Sequence, residues 1–125
     1  MIDVVVFDDS RTVRMFVEMT LSDQGYKVEA CSDLSGFQAV DQAPRLVLLD
    51  VHMDEFFGTD LIASIRQNWP GEPMIYLYSD MEEEKLRDKM MASGADGYIA
   101  KSWGFEGLIE AVRAVIGEPA DKPAD

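Results

Sequence analysis

Four short apolar runs punctuate the chain: Val4-Val5-Val6-Phe7, Leu46-Val47-Leu48-Leu49, Met74-Ile75-Tyr76-Leu77-Tyr78 and Tyr98-Ile99-Ala100. Runs that are apolar throughout predict strands buried on both faces, as in a parallel sheet covered by helices. Tyr26-Lys27-Val28-Glu29-Ala30 alternates instead, which suits an edge strand. Between the runs the apolar period becomes helical. Val13, Phe16, Val17, Thr20 and Leu21 recur at i, i+3, i+4, i+7 and i+8, with Gly25 as a stop. Leu61, Ile62, Ile65 and Trp69 form a second stripe, ended by Pro70-Gly71. Leu86 and Met90 mark a third, for which Asp80 and Glu83 have capping-box spacing, Asp80 as N-cap, and Gly94 a C-terminal role. Phe105, Leu108, Ile109, Val112 and Ile116 mark a fourth, and a weaker helix is predicted over residues 34–41. The alternating order predicts an α/β, doubly wound domain, because parallel neighbours require right-handed crossovers.

Composition narrows the class. A chain of 125 residues, 47% apolar and 28% charged, has the length and make-up of one globular domain. The expected domain is residues 1–117, followed by a mobile tail, residues 118–125, without an apolar anchor. Eleven Lys plus Arg against 24 Asp plus Glu give a net charge of −13. Such a surface repels phosphate backbones and anionic lipid, so neither nucleic acid nor membrane is expected as a direct partner. No apolar run reaches the roughly 20 residues of a membrane helix, and no leader-like segment is seen. Cys31, the sole cysteine, permits no internal disulfide and reads as a small buried hydrophobe. A cytoplasmic protein is expected.

The polar residues that close the runs carry the chemistry. The first run ends in Asp8-Asp9, the Leu46 run in Asp50, the Met74 run in Ser79 and the last in Lys101. Ligands of open α/β sheets bind beyond the carboxyl ends of the strands, so parallel strands would bring these five groups to one rim. Three close carboxylates repel unless a cation sits among them, and an all-oxygen set of this size favours Mg²⁺. An ammonium and a hydroxyl beside it add donors for a phosphoryl group. No Gly-rich P-loop is present, which argues against Walker-type nucleotide hydrolysis.

Together these residues resemble the receiver domain of two-component response regulators, across about residues 1–117. The resemblance rests on Phe7-Asp8-Asp9-Ser10 and on Leu48-Leu49-Asp50-Val51-His52-Met53 with Gly58 beyond it. It rests equally on Leu77-Tyr78-Ser79 and on Gly94-Ala95-Asp96-Gly97-Tyr98-Ile99-Ala100-Lys101. It implies a flavodoxin-like fold, a five-stranded parallel sheet in the order 2-1-3-4-5. It also implies a phosphorylatable domain that takes its phosphoryl group from a histidine kinase or phosphotransfer protein and signals by a conformational switch. Asp50 would be the phosphoacceptor. Asp8, Asp9, Asp50 and the backbone carbonyl of His52 would hold Mg²⁺, or Mn²⁺ in its place. Lys101 and Ser79 would contact the phosphoryl oxygens, with Ser79 and Tyr98 as the switch pair. A downstream protein partner would dock over residues 82–116. The domain would catalyse no more than its own phosphorylation and dephosphorylation, and so would not be an enzyme in the ordinary sense.

This chain departs from the family at three places. Ser102 follows Lys101 where the family usually has a cis Pro; without Pro a cis bond costs about 2.5–4 kcal/mol, so a differently shaped, trans loop is expected. Asp54 stands where Pro is usual four residues after the acceptor, and Asp80 replaces a small residue beside Ser79. These departures keep a second reading open, a phosphorylation-independent pseudo-receiver acting as an interaction module. A third, an aspartyl-nucleophile phosphatase, needs Asp-x-Asp after the first strand, which the adjacent Asp8-Asp9 does not supply. Met15, Met19, Met74, Met90 and Met91 read as core or rim packing in preference to a cofactor box, and Trp103, Phe56 and Phe57 as half-exposed loop aromatics or, on a second reading, as partner anchors beside the site.

Overall fold

Every residue of the first and third strands is buried, as unbroken apolar runs require. In the computed structural model, which describes residues 2–33, 36, 42–51, 60–71 and 73–121, the strands are β1 (Val4–Phe7), β2 (Val28–Cys31), β3 (Leu46–Asp50), β4 (Met74–Ser79) and β5 (Gly97–Ala100). They form one sheet in the order β2-β1-β3-β4-β5 with all neighbours parallel. The helices are α1 (Arg11–Ser22), α2 (Asp60–Asn68), α3 (Glu83–Ser93) and α4 (Gly104–Ile116). The helix expected over residues 34–41 falls largely outside the described residues, as do His52, Asp54, Phe56 and Phe57.

Strand alternation divides the core in two. Val5, Phe7, Val47, Leu49, Ile75 and Leu77 face Leu61, Ile62 and Ile65 of α2 and Leu86 of α3. Val4, Val6, Leu46, Leu48, Tyr78 and Ile99 face Val17 and Leu21 of α1 and Leu108 and Val112 of α4. Helices therefore cover both faces, and all strands run toward one rim.

Local chemistry fixes the helix ends. The Ser10 Oγ accepts the Val13 N–H at 3.3 Å and caps α1. Gly94 ends α3 in the left-handed conformation, φ +83°, as its position predicts. Asp80 is not the N-cap expected of it: α3 begins three residues later, with Glu82 at the cap position and no side-chain cap bond. Of the five methionines read as core or rim packing, Met90 packs on the core, whereas Met15, Met19, Met74 and Met91 are exposed.

Gly97 is required by a close approach. A Cβ there would lie 2.5 Å from the Tyr76 ring on the neighbouring strand. Gly97→Ala must push that ring aside, and the expected cost is about 1–3 kcal/mol, read as a lower urea midpoint at unchanged slope.

The opposite rim carries an arrangement with no forerunner in the sequence reading. Asp3 is buried just before β1; its carboxylate accepts Lys27 N–H at 2.9 Å, Arg45 Nη1 at 3.0 Å and Ala120 N–H at 3.1 Å. Arg45 also donates to the carbonyls of Glu118 and Ile116, and the Tyr26 hydroxyl donates to that of Gly117 at 2.6 Å. Residues 118–121 of the expected tail thus lie against the domain, tied by Glu118, Ala120 and Asp121. Pro119 is buried, near Gly25, and is the anchor that a search for apolar side chains overlooked. Residues 122–125 lie outside the described set.

Candidate functional site

Asp8 and Asp9 follow β1 directly, and Asp50 closes β3, the strand beside it. Parallel register therefore delivers all three to the same rim, where their carboxylate oxygens lie within 4.8 Å of one another. Asp8 and Asp50 are 1% and 3% exposed, whereas Asp9 faces solvent.

Asp8 is held by its surroundings. One carboxylate oxygen accepts the Ser10 N–H at 2.8 Å, and the other lies 3.2 Å from Lys101 Nζ. Its own N–H continues the ladder to the Cys31 carbonyl, and Arg14 Nη1 donates to its carbonyl at 2.8 Å. Lys101 extends from the end of β5 and lies 5.4 Å from the centroid of the Tyr78 ring. Burial, followed by the charge on Asp8, pushes the Tyr78 hydroxyl up to about 12, so this wall of the site is a neutral phenol at any physiological pH. Burial, with Glu29 and Asp33 adding, pushes the Cys31 thiol up to about 11, in keeping with an inert buried thiol.

Ser79 ends β4, paired with Ala100 and one residue beyond the Tyr78 that pairs with Asp50. It is buried, and its hydroxyl accepts the Met81 N–H at 3.0 Å. Tyr98 stands on β5 with its ring half-buried and its hydroxyl donating to Glu83 at 3.2 Å. Ser102 lies within a single 3₁₀ turn, Lys101–Trp103, that joins β5 to α4. Asp80 is exposed beyond Ser79. Among the described residues, Asp8, Asp9, Asp50 and Lys101 are thus gathered into one pocket, with Ser79 on the same rim. The contacts of Arg14, Tyr78 and Glu83 leave no local signal in the sequence, since Tyr78 lies inside an apolar run and Glu83 inside Glu82-Glu83-Glu84.

The donor set suits Mg²⁺. It is made of oxygens alone, two of its acids are buried, and the single ammonium beside it offsets only part of their charge.

A family model for the response regulator receiver domain matches residues 4–113. The chain is 31% identical, across 131 aligned positions, to Response regulator MprA of Mycobacterium sp. (strain KMS), covering 97% of this chain and 55% of that protein. It is 29% identical over 120 residues to the KDP operon transcriptional regulatory protein KdpE of Escherichia coli (strain K12), covering 93% and 52%. The chain spans about half the length of these curated relatives. The chemotaxis response regulator CheY4 of Vibrio cholerae is similar in structure, with TM-score 0.75 at 26% identity, over 92% of this chain and 98% of that one. A response regulator from Thermotoga maritima, at TM-score 0.78 and 24% identity over 94% and 100% of the two chains, shares the fold. Fold, rim chemistry and matches agree on the class: the chain belongs to the response regulator receiver domain family. It is a receiver of two-component signal transduction, a module whose usual role is to be phosphorylated. No helix among the described residues is long and apolar enough to cross a membrane.

Proposed function

We propose that Asp50 is the phosphoacceptor and that Asp8, Asp9 and Asp50 hold Mg²⁺ or Mn²⁺, with the backbone carbonyl of His52, outside the described residues, as a further ligand. An Asp50 carboxylate oxygen attacks the phosphorus of a phosphohistidine on a histidine kinase or phosphotransfer protein. The P–N bond breaks, its electron pair leaves with the imidazole nitrogen, and an acyl phosphate remains on Asp50. A divalent cation held by Asp8, Asp9 and Asp50 would supply positive charge to offset that of the incoming phosphoryl group. Lys101 adds the second positive charge from its place beside Asp8, and the buried position of Asp50 keeps bulk water from its oxygens. Ser79 then exchanges the Met81 N–H for a phosphoryl oxygen, and Tyr98 follows it inward. A new dianionic group favours whichever arrangement best satisfies it, so the signal is a population shift. The chemistry is confined to the domain's own aspartate, the setting is the cytoplasm, and a downstream protein reads the surface over residues 82–116.

One observation carries this reading: three carboxylates within 4.8 Å of one another at the strand ends, with an ammonium 3.2 Å from the most buried. Incubation with acetyl phosphate and Mg²⁺ is expected to add one phosphoryl group, seen by intact mass. Asp50→Asn is expected to abolish the addition, and chelation of the metal to suppress it. Identical labelling of Asp50→Asn, or none of the parent, overturns the assignment. Partner binding indifferent to Asp50→Ala would mark a phosphorylation-independent module instead.

A further inference from the structure

The Tyr98 hydroxyl does not end in solvent. It donates to one oxygen of Glu83 at 3.2 Å, and the other oxygen of that carboxylate lies 3.5 Å from the Trp103 indole nitrogen. The two rings lie 6.0 Å apart at 46°, so one carboxylate at the start of α3 ties together two aromatic donors from β5 and the following turn. Trp103 is held on its other side as well. A Cβ on Gly107 would sit 2.4 Å from the Trp103 Cβ, so the missing side chain on α4 is the space that the tryptophan occupies.

Trp103 shares its turn with Lys101. The turn spans Lys101–Trp103 and is closed by the Gly104 N–H donating to the Lys101 carbonyl, with Gly104 at φ +72°. The Gly104 N–H bond closes the three residues into one turn, so a displacement of Lys101 bears directly on Trp103. One end of this turn is paired with Asp8 in the acidic pocket, and the other is bound to the carboxylate that accepts from Tyr98.

We infer that Glu83 and Trp103 are positioning residues forming a latch on the resting state. Glu83 holds Tyr98 and Trp103 as one unit, and a phosphoryl group that draws Lys101 from Asp8 strains that unit through the turn. The inference rests on the proposed role of the acidic pocket. A contact present in only one of two states shifts their populations by its own free energy. Loss of the latch therefore favours the state that accepts the phosphoryl group, and ligands of that state bind more tightly.

The test uses the full chain with Trp69→Phe, which leaves Trp103 as its one indole. Beryllofluoride with Mg²⁺ is the probe, with bound fluoride followed by fluorine NMR and Trp103 by its emission. In the Trp69→Phe protein the emission is expected to change on saturation. Glu83→Ala is expected to bind beryllofluoride about 3- to 10-fold more tightly, the worth of one or two exposed hydrogen bonds. It is also expected to lose most of the emission change. Glu83→Gln, which retains an acceptor, is expected to fall between. A thermal melt in the absence of ligand shows whether each variant is folded, and a purely structural role for Glu83 predicts unchanged or weaker binding. Fluoride binding with an unchanged Trp103, or with no tightening in Glu83→Ala, overturns the latch and leaves the reading of the pocket intact. Failure of the parent to bind beryllofluoride or to take up a phosphoryl group overturns both.

Discussion

Lys101→Met is expected to slow phosphoryl uptake about 100- to 1000-fold, the usual effect of removing one preorganised charged donor from a developing anion. Two further consequences separate this from simple damage. Lys101 is the cation paired with Asp8, whose carboxylate is otherwise met by the Ser10 N–H. Without metal, the variant leaves a buried carboxylate short of a partner and is expected to lose about 2 kcal/mol of stability. Mg²⁺ affinity should move the other way. Taking a positive charge from beside three carboxylates favours a divalent cation, and binding about tenfold tighter is expected. Calorimetric titration of Mg²⁺, thermal melts with and without the ion, and intact-mass kinetics with acetyl phosphate check the three effects. Normal uptake, or weaker Mg²⁺ binding in a folded variant, would remove Lys101 from the site.

Asp3→Ala is expected to have the largest effect on stability, a loss of about 3–5 kcal/mol. Asp3 is buried, and its carboxylate receives two backbone N–H groups and the Arg45 guanidinium at 3.0 Å. Removal leaves all three donors without their acceptor, and Arg45 retains only the carbonyls of Ile116 and Glu118. At roughly 3–5 °C per kcal/mol for a domain of this size, the midpoint of thermal unfolding should fall by on the order of 10–20 °C. Amide exchange would localise the loss, because protection should fall first at Lys27 and Ala120. Asp3→Asn keeps an acceptor but turns an amide donor toward Arg45, and an intermediate loss is expected. A midpoint within a few degrees of the parent would show that solvent replaces the carboxylate without cost.

How far the chain revealed itself in advance depends on how local each feature is. The strands were legible because burial on both faces leaves no polar position inside the Val4 and Leu46 runs. The acids of the pocket were legible because each closes such a run, and parallel topology then delivers them to one rim without further information. Helical periodicity identifies a face but not how much of it is covered. Val17 and Leu21 are fully buried as the stripe on α1 requires, while Phe16 and Met19 on the same helix remain exposed, as does Phe105 on α4. The Asp3 arrangement was invisible because its partners lie 24, 42 and 117 residues away. Glu83 has capping-box spacing from Asp80, and nothing local to Glu82-Glu83-Glu84 tells which of the three meets an aromatic hydroxyl. Asp80 shows the converse error, where capping-box spacing was present and the helix began elsewhere.

The meeting of Asp3 and Ala120 has an architectural consequence. Asp3 introduces β1 and Asp8 leaves it, so the two sit about 17 Å apart along the strand direction. Polypeptide entering before Asp3 and polypeptide leaving after Ala120 share one doorway, remote from the acidic rim. A unit of this build suits insertion into a loop of a host protein, or rearrangement by joining its ends with a short linker, and neither operation need disturb the face where the carboxylates gather.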